Sequence, residues 1–394
     1  MLESWPIARV LSMDKQALLL FSLLANPRQM VGLDLQTWDV FIRQARNADL
    51  LGRVYELVAE HQLFDDVPLP VRPHLLSARR VARRHSAMVR FELGNLLGIL
   101  TKLETPVVVL KGAAYVLAGL PAAAGRVFSD IDLMVAKDRL DEAEKLLKVQ
   151  AWVASADGYD DKYYRKWMHE LPPLQHLKRH TLLDLHHAIL PQTARLKPNS
   201  DALFAAAMPV DGYPNAFVLC PEDMVLHSAT HLFQDDEFKH GARDLVDLDS
   251  LLRHFAKDET FWQRLVLRGE AMDLSRPLYY ALRFCHRLLA TPVPESAMAQ
   301  AAQVGRPIRP LALCMDKLFE RALVADHPLC VDRFTGLAKW LLYIRSHYLR
   351  MPFHLLLPHL FHKAFISPIN ARREEKKAEN RPTIEALIAE NKAK

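Results

Sequence analysis

Apolar positions recur at helical spacing through the first hundred residues, give way to short strand-like runs, and then return to helical spacing. Gln16 to Leu24, Trp38 to Ala45 and Leu51 to His61 each repeat apolar residues three and four apart, which predicts amphipathic helices. Val67-Pro68-Leu69-Pro70 interrupts that region, and a long helix is predicted from about Pro73 to Leu103. Pro106-Val107-Val108-Val109-Leu110 is a short β-branched run that predicts a buried strand. It stops at Lys111-Gly112, and Ala113 to Leu117 reads as the start of a helix. A second strand is predicted over Ser129 to Val135 and an amphipathic helix over Lys137 to Val149. Leu183 to His186 alternates apolar and polar residues, as a half-buried strand does. Val210 to Leu219 predicts a hairpin around Asp211-Gly212. At Pro221-Glu222-Asp223 a proline and two acids open a helical region that runs almost to the end.

This pattern divides the chain into a helical region over residues 1–103, a strand-bearing core over 104–219, a helical domain over 220–370 and a charged tail over 371–394. A length of 394 residues suffices for two or three such units. Half the residues are apolar, as in an ordinary globular protein. The 51 Lys and Arg against 46 Asp and Glu leave a formal charge of +5, too small to mark a dedicated nucleic-acid binder. Cys220, Cys285, Cys314 and Cys330 fit neither a metal motif nor a disulfide framework and read as free thiols. Asp14 and Lys15 precede the first apolar run, so no signal peptide is expected, and stretches such as Ala17 to Ala25 are too short to span a bilayer. A cytoplasmic protein is the expectation.

The chemistry concentrates in Ser129-Asp130-Ile131-Asp132-Leu133. Positions i and i+2 of a strand share a face, so Asp130 and Asp132 stand side by side. Such a pair either lies on an exposed polar face or is held by a hard divalent cation, and carboxylate oxygens suit magnesium. Upstream, a strand runs through Lys111-Gly112 into a helix, which lets backbone approach an anion and adds a point charge suited to phosphate. Arg126 stands before the acidic strand, and Asp184 is a third carboxylate on the polar face of a later one.

With Lys111-Gly112-Ala113, Arg126, Asp130-Ile131-Asp132-Leu133 and Asp184-Leu185-His186 in this order, the chain resembles the polymerase-β-type nucleotidyltransferase superfamily. More narrowly it resembles the bacterial family of uncharacterised nucleotidyltransferases, over roughly residues 100 to 255. The superfamily usually has Gly-Gly or Gly-Ser where this chain has Gly112-Ala113, so one hydroxyl donor for phosphate is missing. The resemblance implies an α/β (α+β) fold, a small mixed sheet flanked by N-terminal and C-terminal helical regions. It implies transfer of a nucleoside monophosphate from an NTP, with one or two Mg²⁺ ions, to an acceptor that is a small molecule, a protein or an RNA end. Asp130, Asp132 and Asp184 would be the metal ligands and catalytic carboxylates. Lys111, Gly112, Ala113, Arg126 and Ser129 would bind the nucleotide. Arg243 and Asp247, in a stretch similar to a helix motif of abortive-infection nucleotidyltransferase toxins, lie i and i+4 on one helix face and would join them. A non-catalytic nucleotide-binding or scaffold protein and a toxin-like enzyme acting on transfer RNA are the alternative readings.

His227 and His231 lie four apart, but no neighbouring general-base Glu completes a zinc motif, and helix packing is their expected role. Arg79, Arg80, Arg83, Arg84 and Arg90 on the long helix read as a solvated face, and they keep a nucleic-acid partner open. His186 and His240 are candidates to bond a phosphate or an acidic group. Met351 to Phe365 is apolar and histidine-rich and is expected to pack on the helical domain.

Overall fold

The computed structural model describes residues 16–154, 164–165, 167–234 and 238–352. The charged tail and nearly all of Met351 to Phe365 lie outside the described residues. Helices α1 (Leu19–Ala25), α2 (Leu35–Asn47), α3 (Leu51–Glu60) and α4 (Arg72–Leu100) come first. The middle of the chain carries β1 (Val107–Leu110), α5 (Lys111–Leu117), β2 (Asp130–Met134), α6 (Leu140–Val149), β3 (Trp152–Ala154), β4 (Leu174–His176), β5 (Leu182–His186), α7 (Ser200–Ala206), β6 (Met208–Pro209) and β7 (Ala216–Val218). Helices α8 (Pro221–Gln234), α9 (Gly241–Phe255), α10 (Phe261–Ala271), α11 (Ser275–Leu289), α12 (Glu295–Gly305), α13 (Arg309–Ala322) and α14 (Thr335–Arg350) follow.

The strands form one mixed sheet in the order β3-β4-β5-β2-β1-β7-β6. β2 runs parallel to β5 and antiparallel to β1, and β7 lies parallel on the other side of β1. β1 is buried along its whole length, as its unbroken apolar sequence requires of a central strand. The hairpin predicted around Asp211-Gly212 is present, with β6 pairing antiparallel to β7. The two- and three-residue strands β3, β4 and β6 carry no readable periodicity.

Helix α4 buries Leu75, Val89, Leu93, Leu96, Leu97 and Leu100 at the helical spacing that predicts it. It stops at Leu100 rather than Leu103, where a 3₁₀ turn takes over. Of its arginines, Arg79 stacks over the Tyr55 ring at 4.9 Å, whereas Arg80, Arg83, Arg84 and Arg90 are exposed. α4 also braces the sheet. His85 Nδ1 lies 3.0 Å from Phe128 O and 3.2 Å from its N, just before β2. Glu92 accepts hydrogen bonds from Arg179 and Thr181, just before β5.

The helical half is organised around α8, nearly all of whose residues are buried. Phe233 meets Phe319 edge-on with centroids 5.1 Å apart and lies against Tyr280 and Phe284. One continuous apolar core runs from Ala17, just before α1, through the sheet to Leu342 on α14. Among the described residues, no helix is long and apolar enough to cross a membrane.

Candidate functional site

The site begins where β1 ends. Leu110 is the register partner of Asp132 on β2. The chain then reverses into α5 through Lys111, which sits in the left-handed region at φ 47°. A non-glycine residue pays for that conformation with about 1–3 kcal/mol unless its surroundings hold it there. Here the hold is ionic: Lys111 Nζ donates to Asp132 Oδ1 at 2.7 Å. The helix thus starts at Lys111 itself, two residues earlier than its sequence suggests.

Asp132 and Asp184 are direct register partners on the parallel strands β2 and β5. Register partners on neighbouring strands project to the same face, and Asp130 joins them two residues before Asp132. The oxygens of Asp132 and Asp184 and a ring nitrogen of His186 all lie within 4.8 Å of one another. A second such grouping joins His186 to His169 and Glu170. Asp130 belongs to neither grouping and accepts from Ser129 Oγ at 2.8 Å. The structure therefore brings Asp132 and Asp184 together with a histidine, and leaves Asp130 at the rim.

The charges explain how this cluster is tolerated. Burial alone would push the Asp132 carboxyl up, but Lys111 and His186, whose Nε2 lies 3.1 Å away, overcome it and hold Asp132 ionised. His186 is raised against the effect of burial by Glu170, 3.2 Å from its Nδ1, and by Asp132. The Asp184 carboxylate has neither a hydrogen bond nor an ion pair among the described residues. Burial, then the negative charge of Asp132, pushes its pKa up to about 7. A half-buried carboxylate without a partner, set against another carboxylate, is a place for a cation. The two carboxylates fit a divalent metal, and His186 contacts Asp132 beside them.

Two cavities meet at this cluster, sharing Lys111, Asp130 and His231 as their common wall. The smaller, of about 270 Å³, is bordered by Gly112, Arg126, Ser129, Asp132, Arg243 and Asp247. The larger, of about 490 Å³, is bordered by Asp184, His186, His169, Glu170 and His227. Gly112 has a steric task. A Cβ there would run into the Arg126 guanidinium and lie 2.9 Å from the Phe128 ring. Arg126 in turn donates from Nε to Asp247 Oδ2 at 2.8 Å and stacks over Phe128 at 5.0 Å. Asp247 thus aims Arg126, while Arg243, its neighbour one turn back, pairs with Asp244. Ala113 is buried and borders neither cavity.

His227 and His231 do more than pack α8: both face the cavities. His240 also borders the smaller cavity, with Nδ1 3.2 Å from Asp49 Oδ2. Glu170 and His169 carry no motif in the sequence. An isolated antiparallel bridge, a pairing that no sequence signal marks, sets Glu170 beside His186.

No curated protein and no solved structure matches the chain. A family model described as uncharacterised nucleotidyltransferase matches residues 34–290, more than half the chain, and extends on both sides of the motifs that surround the acidic cluster. The chain belongs to the family of uncharacterised nucleotidyltransferases.

Proposed function

We propose that this protein moves a nucleoside monophosphate from an NTP to an acceptor hydroxyl, using a divalent metal. The observation that carries this reading is the register pairing of Asp132 with Asp184 beside a cavity bordered by Arg126, Arg243 and Lys111. Asp132 and Asp184, with Asp130 at the rim and His186 alongside, would hold the metal. When bound, Mg²⁺ supplies countercharge for the triphosphate and lowers the pKa of the acceptor hydroxyl.

The chain's own groups do the rest. Arg126 and Arg243 bring fixed positive charge to the smaller cavity, where negative charge builds up on the leaving pyrophosphate. Lys111 adds an ammonium, and Ser129 a hydroxyl donor. The acceptor oxygen forms a bond to the α-phosphorus while the bond from that phosphorus to the bridging oxygen breaks and pyrophosphate leaves. The hydroxyl proton passes to Asp184 as general base. Such chemistry needs positioning and electrostatics more than covalent participation.

Labelled-NTP transfer and calorimetric binding of Mg·ATP test the reading. Asp132→Ala is expected to abolish turnover, with an unchanged circular dichroism spectrum. Full activity in that variant, or no binding of any Mg·NTP by the wild type at millimolar concentration, overturns it.

A further inference from the structure

The larger cavity adjoins the arginine-bordered one at Lys111, Asp130 and His231, and several elements border it. Asp184 and His186 of β5 lie at one end, His227 and Thr230 of α8 form a wall, and Thr193 and Arg350 form another. That last wall is tied down. Thr193 Oγ1 donates to Arg350 O at 2.7 Å, and Arg195 N donates to Leu349 O at 2.8 Å, fastening the segment after β5 to the end of α14.

Two polar atoms on this lining have no hydrogen-bond partner among the described residues: Thr230 Oγ1, on a residue with no exposed surface, and His169 Nδ1. A buried polar atom left unpaired costs about 1–3 kcal/mol, so such atoms point to a ligand that satisfies them. His169 and His227 each put an imidazole on this lining. A neutral imidazole offers one donor and one acceptor, the complement of a hydroxyl. Arg350 is the arginine on this lining, and its positive charge reaches His169.

We propose that this chamber is the acceptor site and takes a small polyhydroxylated molecule with one anionic group, such as a sugar phosphate or sugar acid. The reacting hydroxyl lies against Asp184 and the anion toward Arg350. The inference rests on the nucleotidyltransferase reading. A volume of about 490 Å³ suits such a molecule, within the range of small-ligand pockets. The recess is half open, so an RNA end or a protein side chain reaching into it is the alternative that the experiment must exclude.

The full-length protein is incubated with α-labelled NTP, Mg²⁺ and a cell extract divided by ultrafiltration, the filtrate being divided again by anion exchange. Label is expected in a compound of the anion-exchange-retained filtrate. Label in RNA or protein of the ultrafiltration retentate overturns the inference, and label confined to the unretained filtrate overturns the anionic group. No labelled product, with Mg·NTP binding intact, overturns the acceptor site and leaves the nucleotide reading standing. Loss of Mg·NTP binding in the wild type counts against that underlying reading. Thr230→Val and Arg350→Gln are each expected to raise the half-saturating acceptor concentration by about tenfold, one hydrogen bond's worth, with Mg·NTP affinity unchanged. Unaltered acceptor saturation in both variants also overturns it.

Discussion

Asp184 is held above the ordinary carboxylate range by burial and by Asp132, and that penalty makes its behaviour predictable. Its folded pKa of about 7 lies above the unfolded value of 3.8, so between those values the folded state holds a proton that the unfolded chain releases. Stability therefore falls as pH rises through that window. Asp184→Asn is expected to raise the thermal midpoint of the metal-free protein above about pH 7 and to change it little below about pH 4, by calorimetry. Metal binding works the other way, because it needs the ionised carboxylate. The wild type's Mg²⁺ affinity should weaken about tenfold per pH unit below 7, and the Asn variant should lose both the affinity and that slope. Gly112 gives a steric counterpart. Gly112→Ala pushes a methyl into Arg126 and Phe128, and overpacking of this kind costs about 1–3 kcal/mol. Because the Arg126 guanidinium has to shift to make room, Mg·NTP affinity should fall by more than the loss in thermal stability accounts for. An affinity equal to wild type would remove Arg126 from the nucleotide site.

At the scale of elements, the strands and helices that carry the site were legible because each obeys a strong local rule. β1 is an unbroken β-branched run, β5 alternates, and α4 keeps its apolar stripe over eight turns. The i, i+2 spacing of Asp130 and Asp132 also gives their common face. What could not be read is pairing across the chain. Nothing local sets Glu170 beside His186, or turns Asp247 toward Arg126 rather than toward Arg243 one turn away. The helical spacing of His227 and His231 fits packing equally well, since only the tertiary fold decides what α8 faces. The same argument singles out α4 as more than a scaffold, because His85 grips the backbone of Phe128 directly ahead of β2. His85→Ala is expected to speed hydrogen exchange at the Phe128 amide and to lower the transfer rate several-fold. Its cost in global stability should stay at about 1 kcal/mol, one hydrogen bond's worth. An unchanged rate with faster exchange would show that the lead-in to β2 has no part in positioning Asp132.

For the molecule as a whole, the site is a joint between regions that the sequence divides. β2 and β5 supply its carboxylates, α8 two of its histidines, α9 its second arginine and the end of α14 its far wall. The apolar core is continuous across all of them, so a chain cut to residues 104–219 should not fold on its own, and full-length unfolding should be cooperative. The tie between α8 and α10 tests this most directly. Arg268 donates to both oxygens of Asp223, at 2.8 and 2.7 Å, and Asp223 is fully buried at the start of α8. Removing the cation strands that carboxylate, which costs about 3–5 kcal/mol for a buried pair. Arg268→Met should therefore lower the denaturant midpoint of the whole protein in one transition, with far-ultraviolet and tryptophan signals coincident. Adding Asp223→Leu to it should recover much of the loss, since two apolar side chains replace a stranded charge. If α8 instead unfolded as a separate early phase while the sheet signal stayed native, the carboxylates and histidines of the site would not share one cooperative unit. Binding of Mg·NTP would then fail to raise the stability of α8, whereas a single unit gains RT ln(1 + [L]/Kd) throughout.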